Sequence, residues 1–179
     1  MRALPNLITA SRLALTPVVV FAVLRHDWRA ATLWFALAAF TDFLDGWAAR
    51  KLQVSSRTGQ FFDPVADKVL LMAVTLALAA AGHIPVWFVA VVVGRDAVLL
   101  LSSVAGLAFT RYRNYRPTQL GKLSTLLQIA VVTAALALPP EWAGWLAWPS
   151  AAVTIASGIH YLCRPFLGGK PAVLDTRLR

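Results

Sequence analysis

The 179-residue chain is 59% hydrophobic and only 14% charged, with a mean hydropathy of +0.66. That is too apolar for an ordinary water-soluble domain, in which about half the residues are apolar and about a quarter charged. Its formal net charge of +9 fits a membrane chain facing anionic headgroups better than a nucleic-acid binder, and a single cysteine, Cys163, excludes an intrachain disulfide.

Six apolar segments follow in chain order, at 7–24, 31–49, 61–81, 84–109, 120–138 and 142–162, and each has the roughly 20 residues that one membrane span needs. Gly, Pro and charge mark the breaks at 25–28, 50–60, 82–85, 110–118 and 139–142. The first segment has no small-residue cleavage site, so it is expected to stay as a span and not to act as a signal peptide. Of the seventeen Lys and Arg, twelve fall on the side of the termini and of the breaks after the second and fourth segments, Lys122 at the start of the fifth segment among them. Two, Arg25 and Arg29, fall on the opposite side, and three, Arg12, Lys68 and Arg95, within segments. By the positive-inside rule both termini are cytoplasmic. Trp28, Trp87, Trp142, Trp145 and Trp148 gather near the opposite ends, as an interfacial belt does. The expected fold is all-α: one polytopic membrane domain over 1–179 with six transmembrane helices, in which 167–179 form a loosely ordered cytoplasmic tail.

Against this apolar background the stretch 42–67 is exceptional. It holds four of the eight acidic residues, Asp42, Asp45, Asp63 and Asp67, within 26 positions. Asp42, Asp45, Gly46 and Ala49 stand at i, i+3, i+4 and i+7, one face of a helix; Asp63 and Asp67 stand at i, i+4 on the next segment, with Gly59 one turn earlier. The short connection between the two segments lets all four carboxylates converge near the cytoplasmic surface. A single buried Asp could simply pair with Lys68, but ionisable groups in spans are expensive, and four at this spacing point to function. Their mutual repulsion at low dielectric is most simply relieved by a divalent cation. Hard oxygen donors indicate magnesium, manganese or calcium and not zinc. Gly46 and Gly59 leave room for a ligand near the backbone, and Arg50, Ser56 and Arg57 offer donors to phosphate oxygens.

The run Asp42-Phe-Leu-Asp45-Gly46-Trp-Ala-Ala49-Arg50, then eight residues, Gly59, three residues, Asp63, three residues and Asp67 resembles the signature of the CDP-alcohol phosphatidyltransferases without departure. The resemblance implies a membrane enzyme that binds CDP-diacylglycerol and two divalent cations, Mg2+ or Mn2+ with Ca2+ as a non-productive occupant, and moves the phosphatidyl group to an alcohol with release of CMP. It makes Asp42, Asp45, Asp63 and Asp67 the metal ligands, with Asp67 also the general base. It places Gly46, Ala49, Arg50, Ser56 and Gly59 at the CDP-lipid, and the opening LPNLITASR puts Pro5 and Asn6 beside the nucleotide. Arg12 is either a phosphate contact or a partner for the acidic cluster. Members are commonly homodimers, and the Ala-rich later segments offer small residues for close packing. The implied location is the bacterial inner membrane, with the site at the cytoplasmic leaflet.

In the second half, Arg95 either pairs with Asp96 or a site carboxylate, or joins Arg116 and Lys122 in a basic pocket for an acidic acceptor. Gly94-Arg95-Asp96 and the pattern of Arg116-Pro117-Thr118, Gly121-Lys122, Thr125 and Gln128 are similar to the branch holding the CMP-forming cardiolipin synthases and the glycerol-phosphate phosphatidyltransferases. Asp96 leans toward the former, since the latter usually carry Arg-Glu there. Phosphatidylglycerol is the favoured acceptor and glycerol 3-phosphate the alternative; inositol-phosphate and serine acceptors stay open. A small cation or proton transporter is the competing class, but it requires neither the glycine spacing nor carboxylates gathered toward one membrane face.

Overall fold

The computed structural model of the protein describes residues 4–52, 59–109 and 119–167, and the side chains of 12–41, 66–101 and 119–163. Among the described residues the chain is wholly helical: α1 (Leu4–Leu24), α2 (Trp28–Leu52), α3 (Gly59–Ala80), α4 (Val86–Phe109), α5 (Gln119–Ala137) and α6 (Pro140–Leu167). Each of the six expected segments is one helix. Most boundaries shift by a few residues: α1 begins at Leu4 and α2 at Trp28, α2 runs on to Leu52, so Arg50 and Lys51 are helical and not in the loop, and α6 extends from Pro140 to Leu167. Proline is favoured at the start of α6 because its missing N–H would have no helical partner there, and Glu141 suits the positive end of the helix.

Each helix buries one stripe. On α1 it is Arg12, Thr16, Val19 and Val23; on α2 Ala31, Phe35 and Ala38; on α3 Ala66, Leu70, Val74, Ala77 and Leu78. These spacings of three and four are the period of one helical face. α1 packs against both α2 and α3, α3 also meets α4 and α5, α2 meets α5, and α6 packs on α4 and α5. The buried stripe of α6 is made of small residues, Ala143, Ala147, Ser150, Ala151, Thr154 and Ser157, which let backbones approach closely. These small residues are therefore used within the chain. The Ser124 hydroxyl lies 2.9 Å from Thr154 Oγ1, whose own proton goes to the Ser150 carbonyl at 2.7 Å, so Ser124 is the donor to Thr154.

The outside is as apolar as the inside. Leu13 and Phe21 on α1, Leu33 and Phe40 on α2, Leu76 on α3, Leu100 on α4, Leu126 on α5 and Trp145 and Ile159 on α6 are all exposed, a surface that belongs in hydrocarbon and not in water. Taken singly, α5 is the one helix among the described residues that is long and apolar enough to cross a membrane, and 12–24 of α1 form a shorter apolar stretch.

The turns after α1 and α3 are built alike. Asp27 N–H bonds the Ala22 carbonyl and His26 N–H that of Val23; His83 N–H bonds Leu78 and Gly82 N–H bonds Ala79. This pair of bonds is a Schellman motif, which needs a left-handed residue at its corner. Gly82 supplies it at φ 77° and His26 at φ 58°. Asp27 then caps α2 by accepting the Ala30 N–H at 3.1 Å. Trp28 stacks on His83 with ring centroids 3.6 Å apart, and His83 Nδ1, protonated in the tautomer that can donate, reaches the Ala135 carbonyl at 3.2 Å. Thr32 Oγ1 lies 2.9 Å from the Leu136 carbonyl, so this end ties the first four helices to α5.

Candidate active site

α2 and α3 carry the four carboxylates, and both run through them as unbroken helix. Positions 42, 45 and 49 continue the register of Ala31, Phe35 and Ala38 on α2, the face buried within the protein. Positions 63 and 67 precede Leu70 and Val74 by seven residues each, and so continue their register along α3. Six residues separate the end of α2 from Gly59, which is the first residue of α3. Among the four proposed ligands Asp67 alone has a described side chain; those of Asp42, Asp45 and Asp63 lie outside the described set, as do those of Pro5, Asn6, Ala49 and Arg50, the surroundings of Gly46 and Gly59, and all of Ser56 and Arg116. Among the described residues there is no group of three or more His, Cys, Asp or Glu placed to hold an ion.

The described charges form two adjoining ties. Arg12, on the buried stripe of α1, pairs through Nη1 with Asp67 Oδ1 on α3; the arginine side chain is 3% exposed and the aspartate 47%. Of the two readings of Arg12, the geometry therefore carries the acidic partner. The Arg12 carbonyl also accepts the Thr16 hydroxyl at 2.9 Å.

The next residue, Lys68, turns to another helix: Nζ donates to Asp96 Oδ1 on α4 at 2.7 Å, and the same oxygen accepts Arg95 Nη1 at 2.9 Å. Lys68 thus serves Asp96 and not Asp67, contrary to the simplest pairing along the sequence. Arg95 Nη2 also reaches Ser157 Oγ on α6 at 3.5 Å, a long contact, while its buried Nε has no hydrogen-bond partner among the described residues. Among the described residues two cations thus share one buried carboxylate. Lys122 is exposed on the first turn of α5, and no described ion pair or hydrogen bond joins it to Arg95. Ser157 carried no sequence signal; one more serine on a small-residue stripe is indistinguishable from packing.

Residues 2–156 match the family model described as CDP-alcohol phosphatidyltransferase. The chain belongs to the CDP-alcohol phosphatidyltransferase family. The matched region takes in α1 to α5, both carboxylate-bearing helices and both ionic ties apart from Ser157. Members of this family are membrane-integral enzymes, which accounts for the apolar exterior. The chain is 38% identical over 164 residues to a CDP-diacylglycerol–glycerol-3-phosphate 3-phosphatidyltransferase of Pseudomonas fluorescens, covering 87% of this chain and 83% of that one. It is 33% identical over 156 residues to a CMP-forming cardiolipin synthase of Rattus norvegicus, covering 76% and 50%. To a cardiolipin synthase (CMP-forming)/mitochondrial hydrolase fusion protein of Schizosaccharomyces pombe it is 33% identical over 180 residues, covering 88% and 30%. The chain therefore spans half or less of the length of these two eukaryotic relatives, and most of the length of the Pseudomonas one.

Proposed function

We propose that this phosphatidyltransferase-family chain moves the phosphatidyl group of CDP-diacylglycerol to the hydroxyl of a phosphate-bearing alcohol and releases CMP. The observation that carries this is the continuity of α2 and α3 through the signature, which sets Asp42 and Asp45 in register with one buried face and Asp63 and Asp67 with another. Two divalent ions, Mg2+ or Mn2+, suit the four carboxylates: the donors are hard oxygens, and Asp67, half open and already engaged by a guanidinium, marks a place where positive charge is stabilised. When bound, such ions neutralise the diphosphate and stabilise the leaving CMP.

The chain's own groups do the rest. Pro5, Asn6, Gly46, Ala49, Arg50, Ser56 and Gly59 hold the cytidine diphosphate portion, with Arg50 and Ser56 donating to its oxygens. Arg95, Arg116 and Lys122 supply positive charge for the acceptor's phosphate. Asp67 takes the proton from the acceptor hydroxyl as its oxygen attacks the phosphorus that bears the diacylglycerol. That oxygen–phosphorus bond forms, the bond to the CMP oxygen breaks, and CMP leaves with the electron pair. Six spans with both termini cytoplasmic, supported by the twelve-to-two distribution of basic residues, put this chemistry at the leaflet of the bacterial inner membrane where the donor's headgroup lies. A homodimer follows the family habit.

Phosphatidylglycerol is the acceptor this reading favours, on the Arg95–Asp96 pair. The second reading, glycerol 3-phosphate, is supported by the Pseudomonas relative and its near full-length match. Purified protein given CDP-diacylglycerol and a divalent ion, with each acceptor offered separately, should release CMP and form cardiolipin with the first. Phosphatidylglycerophosphate alone would decide for the second, and no CMP release with any alcohol would sink the enzyme reading.

A further inference from the structure

The reaction as drawn gives no task to Arg12. Its side chain is almost wholly withdrawn from solvent on the buried stripe of α1, and it crosses to a carboxylate 55 residues later in the chain. A buried guanidinium is costly to keep without an anion. The neighbouring cation Lys68 is held by Asp96, while Arg12 pairs with Asp67. Asp67 keeps nearly half its side-chain surface open, enough for a second cation to approach the same carboxylate. Arg12 also lies seven residues after Pro5 on one continuous helix, two turns along the same face and about 10 Å away.

We propose that Arg12 is a resident cation of the carboxylate site, which holds Asp67 while the divalent ion is absent and turns to the diphosphate of the CDP-linked donor when the ion takes that carboxylate. This rests on the reading of Asp67 as an ion ligand. In either state the buried guanidinium faces an anion, first a carboxylate and then phosphate oxygens, both of which its planar fork matches. Arg12 is thus a positioning residue before the donor binds and a donor contact afterwards, and ion and donor binding are linked through it. Linkage of this kind is reciprocal and typically amounts to fivefold or more in affinity.

A purely packing role and a resident-cation role predict opposite signs. Intact protein in lipid nanodiscs is titrated with Mn2+, bound ion being read from the loss of the free-ion paramagnetic resonance signal, and then with CDP in the presence of Mn2+. Arg12→Gln should bind Mn2+ about fivefold tighter than wild type and CDP about tenfold more weakly, the loss of one charge-assisted hydrogen bond. Arg12→Lys keeps the charge with a single-point contact and should fall between. Mn2+ affinity unchanged or weakened in a folded Arg12→Gln protein overturns the proposal. Should that variant not fold, Arg12→Lys with wild-type affinity for both ligands overturns it. Asp67→Asn separates the two layers: unchanged Mn2+ binding there refutes Asp67 as a ligand and with it the ground on which Arg12 was argued, whereas weakened binding with no gain in Arg12→Gln refutes Arg12 alone.

Discussion

The two ends of the bundle are held by different physics. At the end carrying the α1–α2 and α3–α4 turns, backbone motifs and neutral contacts dominate: two Schellman corners, the Trp28–His83 stack and the Thr32 contact to α5. Toward the start of α3 the ties are charges, Arg12 to Asp67 and Lys68 with Arg95 to Asp96. Charges in an apolar bundle cost more than the stacking and caps that suffice at the other end. They concentrate at the end where the signature lies, the end proposed to carry the chemistry, and the difference tells a mutational survey what to expect: activity and large stability losses at one end, modest backbone effects at the other.

Asp67→Asn should break the comparison most completely, abolishing CMP release while nucleotide binding stays measurable; turnover near wild type would remove the base assignment. Next, Asp96→Ala strands the buried Arg95 and should cost about 3 kcal/mol, read as unfolding in mild detergent. Asp96→Asn, which keeps an acceptor oxygen, should cost less, and equal losses would argue that packing and not charge holds α4 to α3. At the opposite end Gly82→Ala isolates the backbone term, because an added Cβ meets nothing within 4 Å while φ stays at +77°. It should lower stability by about 1 kcal/mol and leave turnover unchanged; a loss of activity would show that the two ends are coupled. The smallest effect is expected from Ser124→Ala, which removes the donor to Thr154 between α5 and α6. A loss of about 0.6 kcal/mol, the usual scale for hydrogen bonds between membrane helices, would be measured in the same unfolding assay.

Much of this was legible beforehand because helices report themselves through period and punctuation. All six segments were visible as apolar runs ended by Gly, Pro or charge, and only their ends moved, most at Arg50–Leu52 and at Leu167, where helices continue through the charged residues that close the apolar runs. The carboxylate signature was legible because its spacing is local, three and four residues along a helix. The pairings were not. Lys68 lies one residue from Asp67 and five from Asp63, yet it bonds Asp96, 28 residues on. Successive residues on a helix point about 100° apart, so adjacency in the chain sends Asp67 toward α1 and Lys68 toward α4. His26 shows the same limit on a smaller scale: a left-handed corner is foreseen from glycine at Gly82, but nothing in a histidine announces one.

By itself, then, the sequence determined an apolar all-helical chain, the family signature and the identity of the four carboxylates, since these depend on composition and on spacing within single helices. Which cation answers which anion was decided only by the tertiary structure. Arg12 holds Asp67 because α1 packs against α3, and Asp96 gathers Lys68 and Arg95 because α3 meets α4. Ion pairing falls off with distance in space and takes no account of distance along the chain, so only the packing of the helices could assign these partners.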